Sequence, residues 1–138
     1  MITKLLVAYD GSPQAEKAYS LALEIASRFS AQMIVVSVGQ IPEPPLTIEQ
    51  DEVLEKTRTY YQPYFKKMKE KAESAGIKPR FVVRLGFAAE EIVDLAKADG
   101  VDAIVMGHLG GSIAQRWLVG SVAKRVLSYA HCTVIIAR

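Results

Sequence analysis

The strongest chemical signal in this chain is carried by Gly107, Gly110, Gly120 and Ser121. They stand in the spacing G-x2-G-x9-G-S within Met106–Ser121, MGHLGGSIAQRWLVGS. Glycine has no Cβ, so its backbone can take left-handed angles and approach an oxygen closely. An apolar run, Ala103–Met106, precedes the motif and a helical pattern, Val122–Ala130, follows it. A helix start placed after a strand offers unpaired N–H groups and a partial positive charge, which suits an anion. The implied chemistry is a cradle for the phosphates of a nucleotide. From average glycine usage, chance supplies such a motif in a chain of this length on the order of half a percent of the time. The other role open to these glycines is tight turn-making.

A second chemical group is Asp10, in the run Leu5-Leu6-Val7-Ala8-Tyr9-Asp10-Gly11-Ser12-Pro13. Leu5–Ala8 is a short apolar run, as expected of a strand buried on both faces. Asp10 therefore falls at the carboxyl end of the first strand, where ligands bind in open parallel sheets. An aspartate there also makes turns by bonding its own backbone. Ser12 is placed to cap a helix, with Pro13 at the first helical position. Ala15, Ala18, Ala22, Ile25, Ala26 and Phe29 follow with a 3.6-residue period.

The elements that must hold these groups alternate along the chain. Met33–Val38 reads as a second strand. Pro42, Pro44 and Pro45 then forbid regular structure in the linker Gln40–Leu46. Thr47 and Gln50 form a capping box for a charged helix. Pro63 predicts a kink or break near Tyr61-Gln62. Tyr60, Tyr61, Tyr64 and Phe65 are expected to pack on the sheet, and Gly76 to end the helix. Phe81–Val83 marks strand three and Ala88–Ala98 a helix with Glu90 and Glu91 in its first turn. Asp102–Met106 is strand four, and Thr133–Ala137 strand five.

Five strands alternating with four helices imply an α/β fold, with one parallel sheet covered by helices on both faces. Right-handed crossovers leave a few strand orders. The order 3-2-1-4-5, doubly wound and Rossmann-like, puts strands one and four side by side where the winding reverses. The ligand crevice then lies beyond their carboxyl ends. Adenine would rest against Ala8 and Val38, with Asp10 accepting from a base N–H or a ribose hydroxyl. Gly107 and Gly110 would wrap the ribose and first phosphates. Gly120 would leave room for an anion above the N–H groups of Ser121 and Val122.

Composition narrows the classes. The chain has 138 residues, half of them apolar and 23% charged, with a formal net charge of +2. This suits a single domain over residues 1–138. The charge is too small to argue for nucleic acid. No apolar stretch approaches the ~20 residues of a membrane span. The single cysteine, Cys132, fits a reducing compartment, and a strand pattern from Ile2 or Thr3 stands where a signal peptide would. The expected setting is the cytoplasm, with no nucleic-acid or membrane partner. Cys132 beside His131 reads as packing rather than as a catalytic pair.

Asp10 after strand one, the glycine motif and the opening LVAYDGSPQAEKA together resemble the ATP-binding branch of the universal stress protein family. The resemblance spans essentially the whole chain. It implies ATP as the ligand, with or without Mg2+, and a homodimer formed through the last strand. It further implies that Asp10 and Val38 contact adenine. Met106, Gly107, Gly110, Gly120, Ser121 and Val122 would hold ribose and phosphates. One departure is that Leu109, preceded by His108, stands where the family frequently has a basic or polar residue before the second glycine. His108 and Arg116 are the candidate cations.

Neither a G-x-x-x-x-G-K-[ST] loop nor G-x-G-x-x-G after strand one is present. No carboxylate pair is placed for two metals, and no base for activating water is evident. The expectation is a regulatory binding protein with no catalytic residue. Two alternatives stand beside it. One is an ATP-using enzyme with Ser121 or Ser112 as phosphate acceptor, and the other is a nucleotide-free interaction domain.

Overall fold

The computed structural model describes residues 1–41, 47–108 and 120–138, with the side chains of 47–49 outside the description. Nine elements alternate: β1 (Lys4–Ala8), α1 (Pro13–Phe29), β2 (Gln32–Gly39), α2 (Thr47–Ser74), β3 (Arg80–Leu85), α3 (Ala88–Ala98), β4 (Ala103–Gly107), α4 (Ser121–Tyr129) and β5 (Thr133–Ala137). The strands pair in parallel in the order β3-β2-β1-β4-β5. Fold class and strand order are those the sequence implies, with strand ends moved by a residue or two. The architecture is that of an α/β, Rossmann-like sheet.

Alternation along the strands builds two cores. Leu5, Val7, Met33, Val35, Ala103 and Val105 face α1 and α2, while Leu6, Ile34, Val36, Ile104 and Met106 face α3 and α4. A strand's side chains point to opposite faces in turn. Covering both faces therefore demands the unbroken apolar runs seen in β1, β2 and β4.

Helix α1 starts as expected. The Ser12 hydroxyl accepts from the Ala15 N–H at 3.1 Å, and Pro13 occupies the first turn. Buried Ala15, Ala18, Ala22 and Ala26 let the helix lie close to the sheet. Helix α2 corrects the sequence reading, because it runs unbroken from Thr47 to Ser74 through Pro63. Pro63 is exposed, whereas Tyr61, Met68 and Ala72 are buried. The hydrogen bond that proline forfeits thus lies toward water, and the packed face is kept. Tyr61, Tyr64 and Phe65 pack as expected, Phe65 lying 4.8 Å from Phe81 of β3 by ring centroids. Tyr60 does not, being 59% exposed.

At the amino ends of the strands, Oδ2 of Asp102 accepts from Thr3 N (2.7 Å), Thr3 Oγ1 (2.8 Å) and Lys4 N (2.9 Å). These bonds to Thr3 and Lys4 hold the carboxyl below its usual range. They join β1 to β4, the pair whose opposite ends frame the site.

Candidate functional site

The last register pair between β1 and β4 is Val7–Val105, and beyond it the two strands lead into a crevice of about 500 Å³. Ligand cavities typically span roughly 300–1,000 Å³. Ala8 and Asp10 reach it from the end of β1, and Val38 from β2. Met106 and Gly107 come from β4, while Gly120, Ser121 and Val122 come from the start of α4. Eight of the nine sequence-predicted residues therefore line one cavity. Gly110, like Leu109, Ser112 and Arg116, lies outside the described residues.

A hollow of about 600 Å³ opens at the opposite end of the sheet, lined by Lys4, Lys78, Arg80 and Asp99 among others. Size alone would favour it, but the chemistry of the crevice is the more specific.

One part of the crevice is apolar: Ala8, Val36, Val38, Ala88 and Ile92. Here β2 offers a polar edge. The Tyr9 N–H donates to the Val36 carbonyl and the Gly86 N–H to the Gly39 carbonyl, both at 2.9 Å. Even-numbered residues of β2 thus direct their backbone groups toward β1, and odd-numbered ones toward β3. The β1 ladder ends at Ala8–Val36, and the Tyr9 carbonyl accepts from Ser37 Oγ at 2.7 Å. The N–H and C=O of Val38 therefore point past the end of β1 as a donor–acceptor pair without a backbone partner among the described residues.

The other part is the start of α4. Gly120 is the N-cap residue and supplies no side-chain cap. The first helical bond runs from Lys124 N to Gly120 O at 2.9 Å, so the N–H groups of Ser121, Val122 and Ala123 precede it. Helix α3 also begins at the crevice, at Ala88, and is likewise without a side-chain cap. Helix-start N–H groups, which have no partner among the described residues, and helix dipoles make this end receptive to anions. No lysine or arginine is among the described lining residues.

Asp10 combines both of its expected roles. Its Oδ1 accepts from the Ser12 N–H at 2.9 Å, closing an Asx-turn, while the residue is exposed and lines the crevice. Gly11 takes the left-handed angle the turn needs, with φ +82°.

At the motif glycines the structure corrects the reason for glycine. Gly120 has φ −62° and ψ 161°, which any residue can adopt. At Gly107 the constraint is contact, since a Cβ would lie 2.7 Å from Gln14 Cβ and 2.9 Å from the Gln14 carbonyl carbon. Close approach to Gln14, not left-handedness, is what Gly107 needs glycine for.

Nearby phenols stay neutral. Burial and the bond to the Glu16 carboxylate hold Tyr9 far above the ordinary tyrosine range. Burial first, then the Asp10 charge, pushes Tyr61 up to about 12. The Cys132 thiol is raised by burial and packs against the α3–α4 core.

Sequence reasoning missed Val36, Ala88, Ile92 and Ala123 as lining residues, whereas His108, a candidate cation in the sequence, does line the crevice. The i,i+4 spacing of Ala88 and Ile92 marked a buried stripe, but not which end of the sheet it would reach.

A family model described as the universal stress protein family matches residues 1–138. The chain belongs to that family. A universal stress protein of Methanocaldococcus jannaschii is 34% identical over 138 residues, covering 98% of this chain and 81% of the relative. The solved structure of universal stress protein UspA from Lactobacillus plantarum superposes with a TM-score of 0.88 at 25% identity, covering 99% and 98% of the two chains. Two further solved structures share the fold at 22% identity. One is a universal stress protein in complex with cAMP, with a TM-score of 0.76, covering 99% of this chain and 97% of that one. The other, from Archaeoglobus fulgidus in complex with dAMP, has a TM-score of 0.66 and covers 100% and 98%.

Proposed function

We propose that this universal stress protein holds an adenine nucleotide, ATP in the first instance, as a regulatory binding protein. The observation that carries the reading is the joining of an apolar slot to an uncapped helix start in one crevice. In the slot, the Val38 N–H suits the N1 acceptor of adenine and its C=O the N6 amino group. Guanine presents the reverse pattern, so the edge favours adenine. The Oδ2 of Asp10, which the Ser12 bond does not use, would take a base or ribose hydrogen. Met106 and Gly107 would border the ribose, and Gly110 is proposed to adjoin it on the motif alone. Gly120, Ser121 and Val122 would receive the phosphates, each charge-assisted bond contributing about 1.5–3 kcal/mol.

Among the described residues no three His, Cys, Asp or Glu side chains converge as a metal site. Mg2+ would accordingly ride on the phosphates rather than in a protein cage. The complexes of the same fold with cAMP and dAMP concern those proteins; in this chain the support is its own crevice.

Pairing of two copies along β5 is part of the proposal. That strand is the last of the sheet, with Val134, Ile135 and Ile136 partly exposed. Exposed Leu127 and Tyr129 lie on the adjoining α4. An open apolar edge is a template for another strand. The proposed setting is the cytoplasm, on the single part-buried thiol; among the described residues no helix is long and apolar enough to cross a membrane.

Thermal unfolding with and without ATP–Mg2+ tests the proposal. Ligand at about 100-fold over Kd stabilises a fold by ~2.7 kcal/mol. A melt unmoved by millimolar ATP–Mg2+ overturns it.

A further inference from the structure

The ladder between β1 and β2 breaks off one bond early. At its start the Thr3 carbonyl accepts from the Gln32 N–H at 2.9 Å. The same step along the parallel register, taken from the Tyr9 carbonyl, reaches the Val38 N–H. That bond is not made among the described residues, although the Tyr9 N–H does donate to the Val36 carbonyl at 2.9 Å. The Tyr9 carbonyl accepts instead from the Ser37 hydroxyl, at 2.7 Å.

Side chains along a strand stand on opposite faces in turn. Met33 and Val35 join the α1–α2 core and Val36 and Val38 the α3–α4 core, which puts Ser37 on the α1–α2 face. Its hydroxyl therefore draws the Tyr9 carbonyl out of the sheet toward that face, the side on which the chain goes on into α1. Ser37 is fully buried and is not among the crevice-lining residues. A buried carbonyl is nearly always paired. Without this hydroxyl, the donor in register with the Tyr9 carbonyl is the Val38 N–H.

Resting on the nucleotide reading above, we propose that Ser37 is a positioning residue for base recognition. By occupying the Tyr9 carbonyl, it keeps the Val38 N–H available to N1 of an adenine ring. Removing the hydroxyl lets the ladder close by one more bond, and the edge that reads the base is spent on β1. Base preference is thus set by a side chain outside the crevice.

The test is titration calorimetry of the full chain with ATP and 1-deaza-ATP, which lacks the N1 acceptor. The wild type binds ATP about tenfold more tightly than the analogue. Ser37→Ala weakens ATP about tenfold and the analogue by no more than about twofold, so the preference disappears. Ser37→Thr keeps the hydroxyl and the preference, whereas Ser37→Val, with the same branched shape, loses it. Amide hydrogen exchange reads the same bond directly. In the wild type the Val38 N–H exchanges faster than the ladder-bonded Val36 N–H and slows on adding ATP. In Ser37→Ala it is slow from the start.

Unchanged ATP affinity in Ser37→Ala, equal losses for ATP and the analogue, or a wild-type Val38 amide as protected as Val36 without ligand each overturn the proposal while leaving nucleotide binding intact. A wild type that binds neither ligand overturns the nucleotide reading, and this role with it. If Ser37→Ala does not fold, the threonine–valine pair and the wild-type exchange decide.

Discussion

Gly107, at the end of β4, lies directly against Gln14 in the first turn of α1. A methyl group on Gly107 would sit 2.7 Å from Gln14 Cβ and within 3.0 Å of its carbonyl. Backbone cannot yield as a flexible side-chain tip can. Gly107→Ala should therefore destabilise the fold by about 1–3 kcal/mol, the usual range for overpacking. Chemical denaturation checks it, and a loss under about 0.5 kcal/mol contradicts the contact.

Gly120 should behave differently. Its φ of −62° and ψ of 161° are open to any residue, and alanine is about 1 kcal/mol less favourable than glycine at an N-cap. Gly120→Ala is expected to keep the fold at no more than that cost while weakening ATP binding, and Gly120→Val to remove binding from a folded protein. Unchanged affinity in the valine variant would place the anion elsewhere.

Asp10 separates turn from ligand. Asp10→Asn keeps Oδ1, and with it the bond from Ser12 N–H, so stability should change by no more than about 0.5 kcal/mol. Loss of the charge and of the second acceptor should weaken adenosine and ATP alike by roughly tenfold or more. Asp10→Ala should lose binding and stability together. Calorimetry and denaturation on the same samples distinguish the two variants.

Acid should loosen the end of the sheet held by Asp102. Its carboxyl is depressed from 3.8 by the bonds from Thr3 and Lys4. The carboxylate therefore stabilises the fold at pH values above 3.8, and the contribution is lost as pH falls through the lower folded-state value. Asp102→Asn should flatten this acid limb and leave the alkaline side unchanged. Unfolding curves between pH 2 and 6 that coincide in shape for the two proteins would refute it.

Turnover tests the distinction between holding and cutting ATP. Neutral Tyr9 and Tyr61 offer no base to the crevice, and phosphate release should be far slower than the ~10 s⁻¹ of an ordinary enzyme. Release at that rate, abolished by a Ser121 substitution, would favour the enzyme reading.

Local order was legible from the residues alone. Periods of two and 3.6, the Ser12–Pro13 start and the late Gly76 lie within a turn or two of the positions they control, so a linear reading finds them. Pro63 shows the limit of that reading: its local cost is real, yet the buried faces of Tyr61, Met68 and Ala72 hold α2 continuous. Tyr60 shows it again, being of the same type as its neighbours yet turned to water.

By itself the sequence determined nine alternating elements, a parallel sheet and the motif that ends at the start of α4. Tertiary structure decided which face each helix covers, and so brought Ala88 and Ile92 of α3 to the crevice. It also set Gly107 against Gln14, placed the Ser37 hydroxyl on the Tyr9 carbonyl and directed the Val38 edge past β1. Local propensities act over a few residues, whereas these relationships join positions dozens apart, and only packing brings them within reach.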